Sequence, residues 1–253
     1  MSTESTHFLI FLIGLMASYL GSFSSGGVSV LGVWLLTLLG ISPQMATITF
    51  KLGKIGDALG GVGVFHRGGH IPYRYLLGAS TSSVFWSFIG SYIIFAIPDR
   101  IIYWVSALSM LFLSYVSWRW KLWIIWEHTI PRKREFLYYI AVFFVTLAWN
   151  IFIAGSGIWY YFLNTYLLKL TSIEAKGHST AVTLFWFIGT TLWVISQGRY
   201  VLSWAVVLAL GMLIGWYFGS KHVIKIGNFA LRNILLVSIV GFSLYFLFLA
   251  LYG

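Results

Sequence analysis

Three charged residues lie close together inside an apolar stretch of this sequence. Lys51, Lys54 and Asp57 are spaced at i, i+3 and i+6 within residues 44–65, so a helix would carry them along roughly one face. Ions at membrane depth are costly and normally face a protein interior or a wet cavity. A lysine there is a candidate counter-charge for a bound anion, with Asp57 as its partner or as a proton carrier for coupling. In the alternative interpretation, Lys54 and Asp57 only cancel each other's cost, and Lys51 extends its ammonium group towards the nearer surface.

Two long apolar segments are interrupted by small residues, which lower helix propensity and let the chain turn. The interruptions are Ser24, Ser25, Gly26 and Gly27 in residues 8–39, and Gly155, Ser156 and Gly157 in residues 136–168. A chain that turns at mid-depth exposes the amide groups of its returning half-helix, here near Val28 and Ile158. Such a helix N-terminus can hold an oxyanion, and the serine hydroxyls would add donors. Alternatively, the small residues only let helices pack closely.

His178 and Thr180, in the second half of the chain, are candidates for the same substrate site. Thr180 is the counterpart of Lys51 when residue i is set against residue i+129, and His178 lies close to it in residues 177–197. A histidine can change charge near neutral pH, but the neighbouring Glu174 and Lys176 fit an interfacial position equally well. The remaining histidines have no metal-like spacing, so we expect no metal site.

The elements that must position these residues are membrane helices. Of the 253 residues, 59% are apolar and only 9% are charged, whereas soluble domains average about 25% charged residues. Hydropathy places apolar segments, most of them long enough to cross a hydrocarbon layer of about 30 Å, near residues 8–39, 44–65, 75–97, 101–117, 136–168, 177–197, 201–219 and 233–252. The sequence therefore predicts an all-α integral membrane protein with about eight hydrophobic segments. Because no Lys or Arg precedes the first segment, we expect no cleaved signal peptide.

The two halves of the chain resemble each other at a spacing of 129 residues. The matching pairs are Gly26 with Gly155, Gly60 with Gly189, Gly69 with Gly198, Gly90 with Gly219, and Ala46 with Ala175. They favour an internal duplication, with a first transmembrane repeat at 1–118, a basic, tryptophan-rich cytoplasmic connector at 119–135 and a second transmembrane repeat at 136–253. Each repeat would hold a broken, hairpin-like segment followed by three helices. The repeats would then be inverted, as is common in secondary transporters.

The distribution of positive charge predicts the orientation of the chain. If residues 136–168 enter and return to one side, loops 66–74, 119–135, 169–176 and 220–232 share a side with twelve Lys and Arg residues, against two on the other side. Lys and Arg accumulate in cytoplasmic loops, so both termini are expected outside the cell. Charge does not decide whether residues 8–39 form a hairpin or a single crossing.

The formal net charge of +10 is explained by these basic cytoplasmic loops. It indicates contact with anionic membrane lipid rather than with nucleic acid.

Several of these stretches resemble the sulfite exporter TauE/SafE family, also called the toluene sulfonate uptake permeases. The resemblance covers nearly the whole chain. Besides the first glycine–serine break, it rests on Gly40-Ile41-Ser42-Pro43, Gly68-Gly69-His70-Ile71, Ala154-Gly155-Ser156-Gly157 and Gly219-Ser220-Lys221. It implies transport of a small sulfur-containing anion, such as sulfite or an organosulfonate, across the plasma membrane.

Other function classes find less support. Asp57 is the only one of six acidic residues well within an apolar segment, and the sequence has no HExxH, GxSxG or P-loop motif and no cysteine. We therefore expect neither an enzyme nor a cofactor, and an ion gradient or the membrane potential would drive transport. A membrane helper or assembly subunit is the alternative. The particular anion, the direction of transport, the coupling ion and the formation of a homo-oligomer stay open.

Overall fold

The computed structural model describes residues 3–24, 28–94, 132–149, 156–198 and 200–252, and also residues 101, 104–105, 107–109, 111–112 and 115. Within these ranges all regular structure is helical, and no strand is present. The α-helices with continuous bounds are α1 (Thr3–Ser24), α2 (Val28–Leu38), α3 (Pro43–Gly53), α4 (Ile55–Arg67), α5 (Leu76–Ile94), α6 (Arg132–Trp149), α7 (Ser156–Tyr166), α8 (Ser172–Ser196) and α9 (Leu202–Tyr252). A single 3-10 turn, Tyr73–Tyr75, precedes α5.

Side chains near the start of α3 and α8 fix where these helices begin. Ser42 caps α3 by accepting a hydrogen bond from the backbone N–H of Met45, and Pro43 follows in the first turn. At α8, the Thr171 hydroxyl accepts from the backbone N–H of Glu174, and the Glu174 carboxylate accepts from the backbone N–H of Thr171. This reciprocal capping box sets the first turn of α8 at Ser172.

The first half of α9 packs closely against α1 and α4 because glycines leave no side chain between the backbones. A Cβ atom added at any of these glycines would meet a carbonyl oxygen of the neighbouring helix: Gly211 with Phe11, Gly215 with Leu15, Gly56 with Ala209, and Gly60 with Leu213. The residue numbers rise together along both pairs of helices. These stretches of α1, α4 and α9 therefore run in the same direction.

Two further helices run against that direction. Ile10 of α1 and Leu36 of α2 belong to one buried cluster, so α2 folds back along α1. At the other side, α3 and α4 continue each other with only a slight disturbance at Lys54, whose backbone stays helical with φ −63° and ψ −14°. Helix α8 packs antiparallel to this pair, since Gly177 lies beside Phe65 while Trp193 lies beside Leu52.

The structure corrects one part of the predicted loop pattern. Residues 220–232 were expected to form a loop, but the chain is helical on both sides of Gly227, where the two helical parts of α9 meet with φ 81° and ψ 173°. The basic residues of this stretch, such as Lys221 and Arg232, are good helix formers, and only glycine adopts this backbone conformation readily. The change of direction is therefore confined to one residue.

The described helices have the surface of a membrane protein. Three stretches are long and apolar enough to cross a bilayer: Glu4–Ser24, Ser172–Ser196 and Leu202–Tyr245. Large apolar side chains such as Leu77, Phe229 and Val237 are more than 70% exposed, as lipid-facing residues would be. The largest buried cluster among the described residues joins α4, α5, α6, α7, α8 and α9. The predicted all-α class is confirmed for the described residues, whereas the eight segments, the inverted repeats and the domain boundaries stay predictions.

Candidate functional site

A buried ion pair lies at the meeting point of α1, α4, α8 and α9. Asp57 on α4 is only 4% exposed. Its Oδ2 atom lies 3.2 Å from the ammonium nitrogen of Lys54, and its Oδ1 atom accepts a hydrogen bond from the Ser18 hydroxyl of α1. The carboxylate is therefore held from two sides, by a cation on the adjoining turn and by a hydroxyl on a neighbouring helix.

A second lysine reaches the same place from α8. Lys176 is 1% exposed, and its Nζ atom lies 3.5 Å from the carbonyl oxygen of Gly21 on α1. It interacts electrostatically with both Lys54 and Asp57. We refer to Lys54, Asp57 and Lys176 as the charged cluster. Two lysines and one aspartate give the cluster a formal net charge of +1.

An indole ring from α9 contacts both lysines. The centre of the Trp216 ring lies 4.9 Å from the Nζ atom of Lys176 and 5.9 Å from that of Lys54. The face of an indole attracts cations, so Trp216 partly replaces the water that the ammonium groups lack. There is room for the ring because Gly61 has no side chain, and a Cβ atom there would meet the indole. The sequence of α4 thus shapes the cluster as well as supplying two of its charges.

Lys54 and Asp57 lie near the middle of the α3–α4 pair, whereas Lys176 reaches them from the second turn of α8. At 1.5 Å per residue, Asp57 is about 21 Å from the start of α3 at Pro43 and about 15 Å from the end of α4 at Arg67. Trp216 is likewise about 21 Å from the start of α9. Since the hydrocarbon layer is about 30 Å thick, the Lys54–Asp57 pair lies deep within the length that α3 and α4 cover together. Charged groups at such depth are characteristic of substrate and ion pathways.

Three hydrogen-bond donors near the cluster have no protein partner among the described residues. They are the hydroxyls of Ser24 and Ser220 and the indole N–H of Trp216, and all three atoms are buried. Ser220 lies one turn after Trp216 on α9, and Ser24 lies three residues after Gly21 on α1. A buried donor without an acceptor costs about 1–3 kcal/mol, so such groups usually serve a ligand or an ordered water. Donors beside a net positive cluster suit the oxygen atoms of an anion.

Four of the predicted site residues lie at or beside the charged cluster. Lys54 and Asp57 form its ion pair, as one interpretation of the sequence expected. Thr180 packs at its edge, and its hydroxyl donates to the carbonyl oxygen of Lys176 at 2.9 Å. Ser24 is buried at the end of α1. Lys51 is partly buried and lies one turn before Lys54. The charges that act on Asp57 are those of Lys54 and Lys176, and Lys51 is not among them.

Of the other predicted site residues, His178 is the one whose side chain the structure places away from the cluster. His178 is fully buried, but its ring lies 6.2 Å from the Tyr138 ring, and its position two residues after Lys176 turns it to another face of α8. Ser156 and Gly157 form the first turn of α7. The remaining candidates lie outside the described residues: Ser25, Gly26, Gly27 and Gly155.

Sequence reasoning missed Lys176 and Trp216. Lys176 was counted among the charges of a cytoplasmic loop at residues 169–176, which is wrong because it lies in the second turn of α8 and is almost fully buried. The signal was present, since Thr171 and Glu174 have the spacing of a capping box and place the helix start before Lys176. Trp216 has no comparable signal, because its role depends on the missing side chain of Gly61 in a different helix.

Apolar helices around a buried cluster of net positive charge are the features of a membrane transporter for anions. Comparison with known protein families matches residues 10–246 to the sulfite exporter TauE/SafE family. The chain therefore belongs to this family, and the resemblance seen in the sequence is confirmed. The family consists of transporters and not of enzymes, as the sequence led us to expect. No curated protein and no solved structure gives a significant match to the chain.

Proposed function

We propose that this protein is a secondary transporter that moves a small sulfur-containing oxyanion, sulfite or an organosulfonate, across the plasma membrane. The anion binds beside Lys54 and Lys176, where the donors of Ser24, Ser220 and Trp216 take its oxygen atoms. The single observation that carries this proposal is the net positive charged cluster between the apolar helices, in which Asp57 and Lys176 are almost fully buried and the Lys54 side chain is 17% exposed. Membership of the TauE/SafE family supports the sulfur chemistry of the substrate.

The first glycine–serine break belongs to this proposed site. Helix α1 ends at Ser24 and α2 begins at Val28, so at 3.8 Å per residue the start of α2 lies within about 15 Å of Ser24. The N–H groups of that helix start, together with Ser25, Gly26 and Gly27, form the other wall of the anion site in our proposal. The second break, at Gly155, Ser156 and Gly157, would play the corresponding part in an inverted repeat, with Lys51, His178 and Thr180 along the route of the anion.

The membrane potential is sufficient to drive the proposed transport outwards. Both termini lie outside the cell in the proposed orientation, and the basic connector at 119–135 faces the cytoplasm. Moving one charge through 100 mV is worth about 2.3 kcal/mol, which corresponds to about a fifty-fold gradient of a monoanion. Export from a cell that is negative inside therefore needs no coupled ion. Import would need a coupled ion.

The proposal is tested by anion flux into proteoliposomes that contain the purified chain. Uptake of sulfite, methanesulfonate and chloride is measured against empty liposomes, with the membrane potential imposed in either direction. We expect saturable uptake of the two sulfur oxyanions, faster when the compartment that receives the anion is positive. Lys54→Gln should abolish this uptake, because the cluster then carries no net charge.

The matched control is Lys225→Gln, which removes an exposed lysine of α9 far from the cluster and should leave uptake unchanged. Folding of each variant is checked by size-exclusion chromatography. Equal flux of sulfite in proteoliposomes and empty liposomes, with a folded protein and at either potential, would contradict the transporter and favour a helper subunit.

A further inference from the structure

We propose that Asp57 sets the valence of the transported anion. Its carboxylate leaves the site with a formal net charge of +1, which one negative charge on the anion compensates. This inference rests on the proposed transport function and adds the charge class of the substrate to it. The substrates would be monovalent oxyanions, namely organosulfonates and hydrogen sulfite, and divalent sulfite and sulfate would be excluded.

The helices around the site differ in the charge that they bring to it. Helix α1 contributes the neutral groups of Ser18, Gly21 and Ser24, while α9 contributes the neutral Trp216 and Ser220. Among the described residues, the charges that act on one another here come from α8, through Lys176, and from the α3–α4 pair, through Lys54 and Asp57. Lys51, one turn before Lys54 on α3, is not among the charges that act on Asp57.

Asp57 is fixed in place, so it acts as a permanent counter-ion rather than as a group that swings away when the anion binds. Ser18 and Lys54 hold its two oxygen atoms from different helices. The backbone of α4 beside it cannot shift easily, because Gly56 and Gly60 on either side pack directly against the backbone of α9. The carboxylate therefore neutralises one of the two ammonium groups whether or not an anion is present.

A monovalent anion brings the formal charge of the occupied site from +1 to zero, whereas a divalent anion leaves one uncompensated negative charge. An uncompensated charge among buried groups is strongly disfavoured. The size of the anion contributes less, because methanesulfonate and sulfate present the same tetrahedral arrangement around sulfur. Valence, rather than shape, is thus what the cluster discriminates.

The test compares uptake of methanesulfonate, a permanent monoanion, with uptake of sulfate, a dianion, in proteoliposomes. Wild-type protein should prefer methanesulfonate. Asp57→Asn raises the charge of the cluster to +2 and should shift the ratio of the two uptake rates towards sulfate by more than about tenfold, as one elementary charge at contact distance would. Asp57→Glu keeps the charge and should keep the preference.

Two further variants test whether restoring the net charge of the cluster restores transport. The test then does not depend on Asp57→Asn alone. Lys54→Gln alone leaves the cluster neutral and should lose both anions, and Lys54→Gln combined with Asp57→Asn restores +1 through Lys176 and should regain methanesulfonate. Binding is measured in parallel by the thermal stabilisation of detergent-purified protein with each anion, so a variant that folds but transports slowly still reports its preference.

The outcomes separate this inference from the function beneath it. Wild-type uptake with an unchanged ratio in Asp57→Asn, or no rescue in the folded double variant, would overturn the role of Asp57 and leave the transporter intact. A wild-type protein that carries neither anion above the rate of empty liposomes would overturn the proposed function and this inference with it.

Discussion

Replacing Lys176 by methionine should abolish anion binding while leaving the fold stable. The ammonium group of Lys176 lies 3.5 Å from the Gly21 carbonyl oxygen and 4.9 Å from the centre of the Trp216 ring. An oxyanion placed about 4 Å from this group gains about 4 kcal/mol at an effective dielectric constant of about 20. Loss of the group should therefore weaken anion binding by about a thousandfold.

The same substitution should cost little stability. Methionine has nearly the length of lysine and is apolar, so it fills the space between α1 and α9 without burying a charge. The buried carboxylate of Asp57 keeps Lys54 and Ser18 as partners, and removing one buried cation removes its desolvation cost. The lost hydrogen bond to Gly21 is worth about 1 kcal/mol. These contributions nearly cancel, and the melting temperature should change by only a few degrees.

The assay pairs methanesulfonate uptake in proteoliposomes with thermal unfolding followed by size-exclusion chromatography. Lys225→Met is the control, since it makes the same chemical change at an exposed position of α9. If Lys176→Met kept methanesulfonate uptake within twofold of wild type, Lys176 would not be the counter-charge. If the variant unfolded instead, the lysine would be needed for structure and the reasoning from its charge would fail.

Three other predictions concern packing, capping and driving force. Gly60→Leu should destabilise the protein by about 1–3 kcal/mol, because its side chain would meet the carbonyl oxygen of Leu213, whereas Gly63→Leu has open space and should be tolerated; thermal unfolding of both variants checks this. Thr171→Ala removes the capping box with Glu174 and should lower the free energy of unfolding by about 1 kcal/mol in the same thermal measurement. A melting temperature equal to that of wild type would contradict this. Reversing the sign of the imposed potential should reverse the favoured direction of methanesulfonate flux, and flux that ignores the potential would indicate electroneutral exchange.

Part of the fold and of the site follows from periodicity and charge in the sequence alone. The apolar segments predict the helical membrane class, and the i, i+3 spacing of Lys54 and Asp57 predicts their pairing, since both depend only on local sequence. The end of α1 at Ser24 likewise follows from small residues that disfavour a helix.

The rest of the site depends on contacts between distant helices. The antiparallel packing of α8 on α4 brings Lys176 to Asp57. Hydropathy begins the corresponding segment at residue 177, so Lys176 falls outside the predicted helix, although α8 begins at Ser172. The position of Trp216 is set by Gly61, about 150 residues earlier in the chain. Helical pattern alone carries no information about either contact.

The most direct test of the central claim is calorimetric titration of the purified wild-type protein with methanesulfonate, beside a Lys54→Gln/Lys176→Gln double variant. The charged cluster as the anion site predicts saturable binding of one anion per wild-type chain and no detectable heat of binding in a folded double variant. Equal binding by the two proteins would contradict this account, because the anion would then be held without the two lysines of the charged cluster.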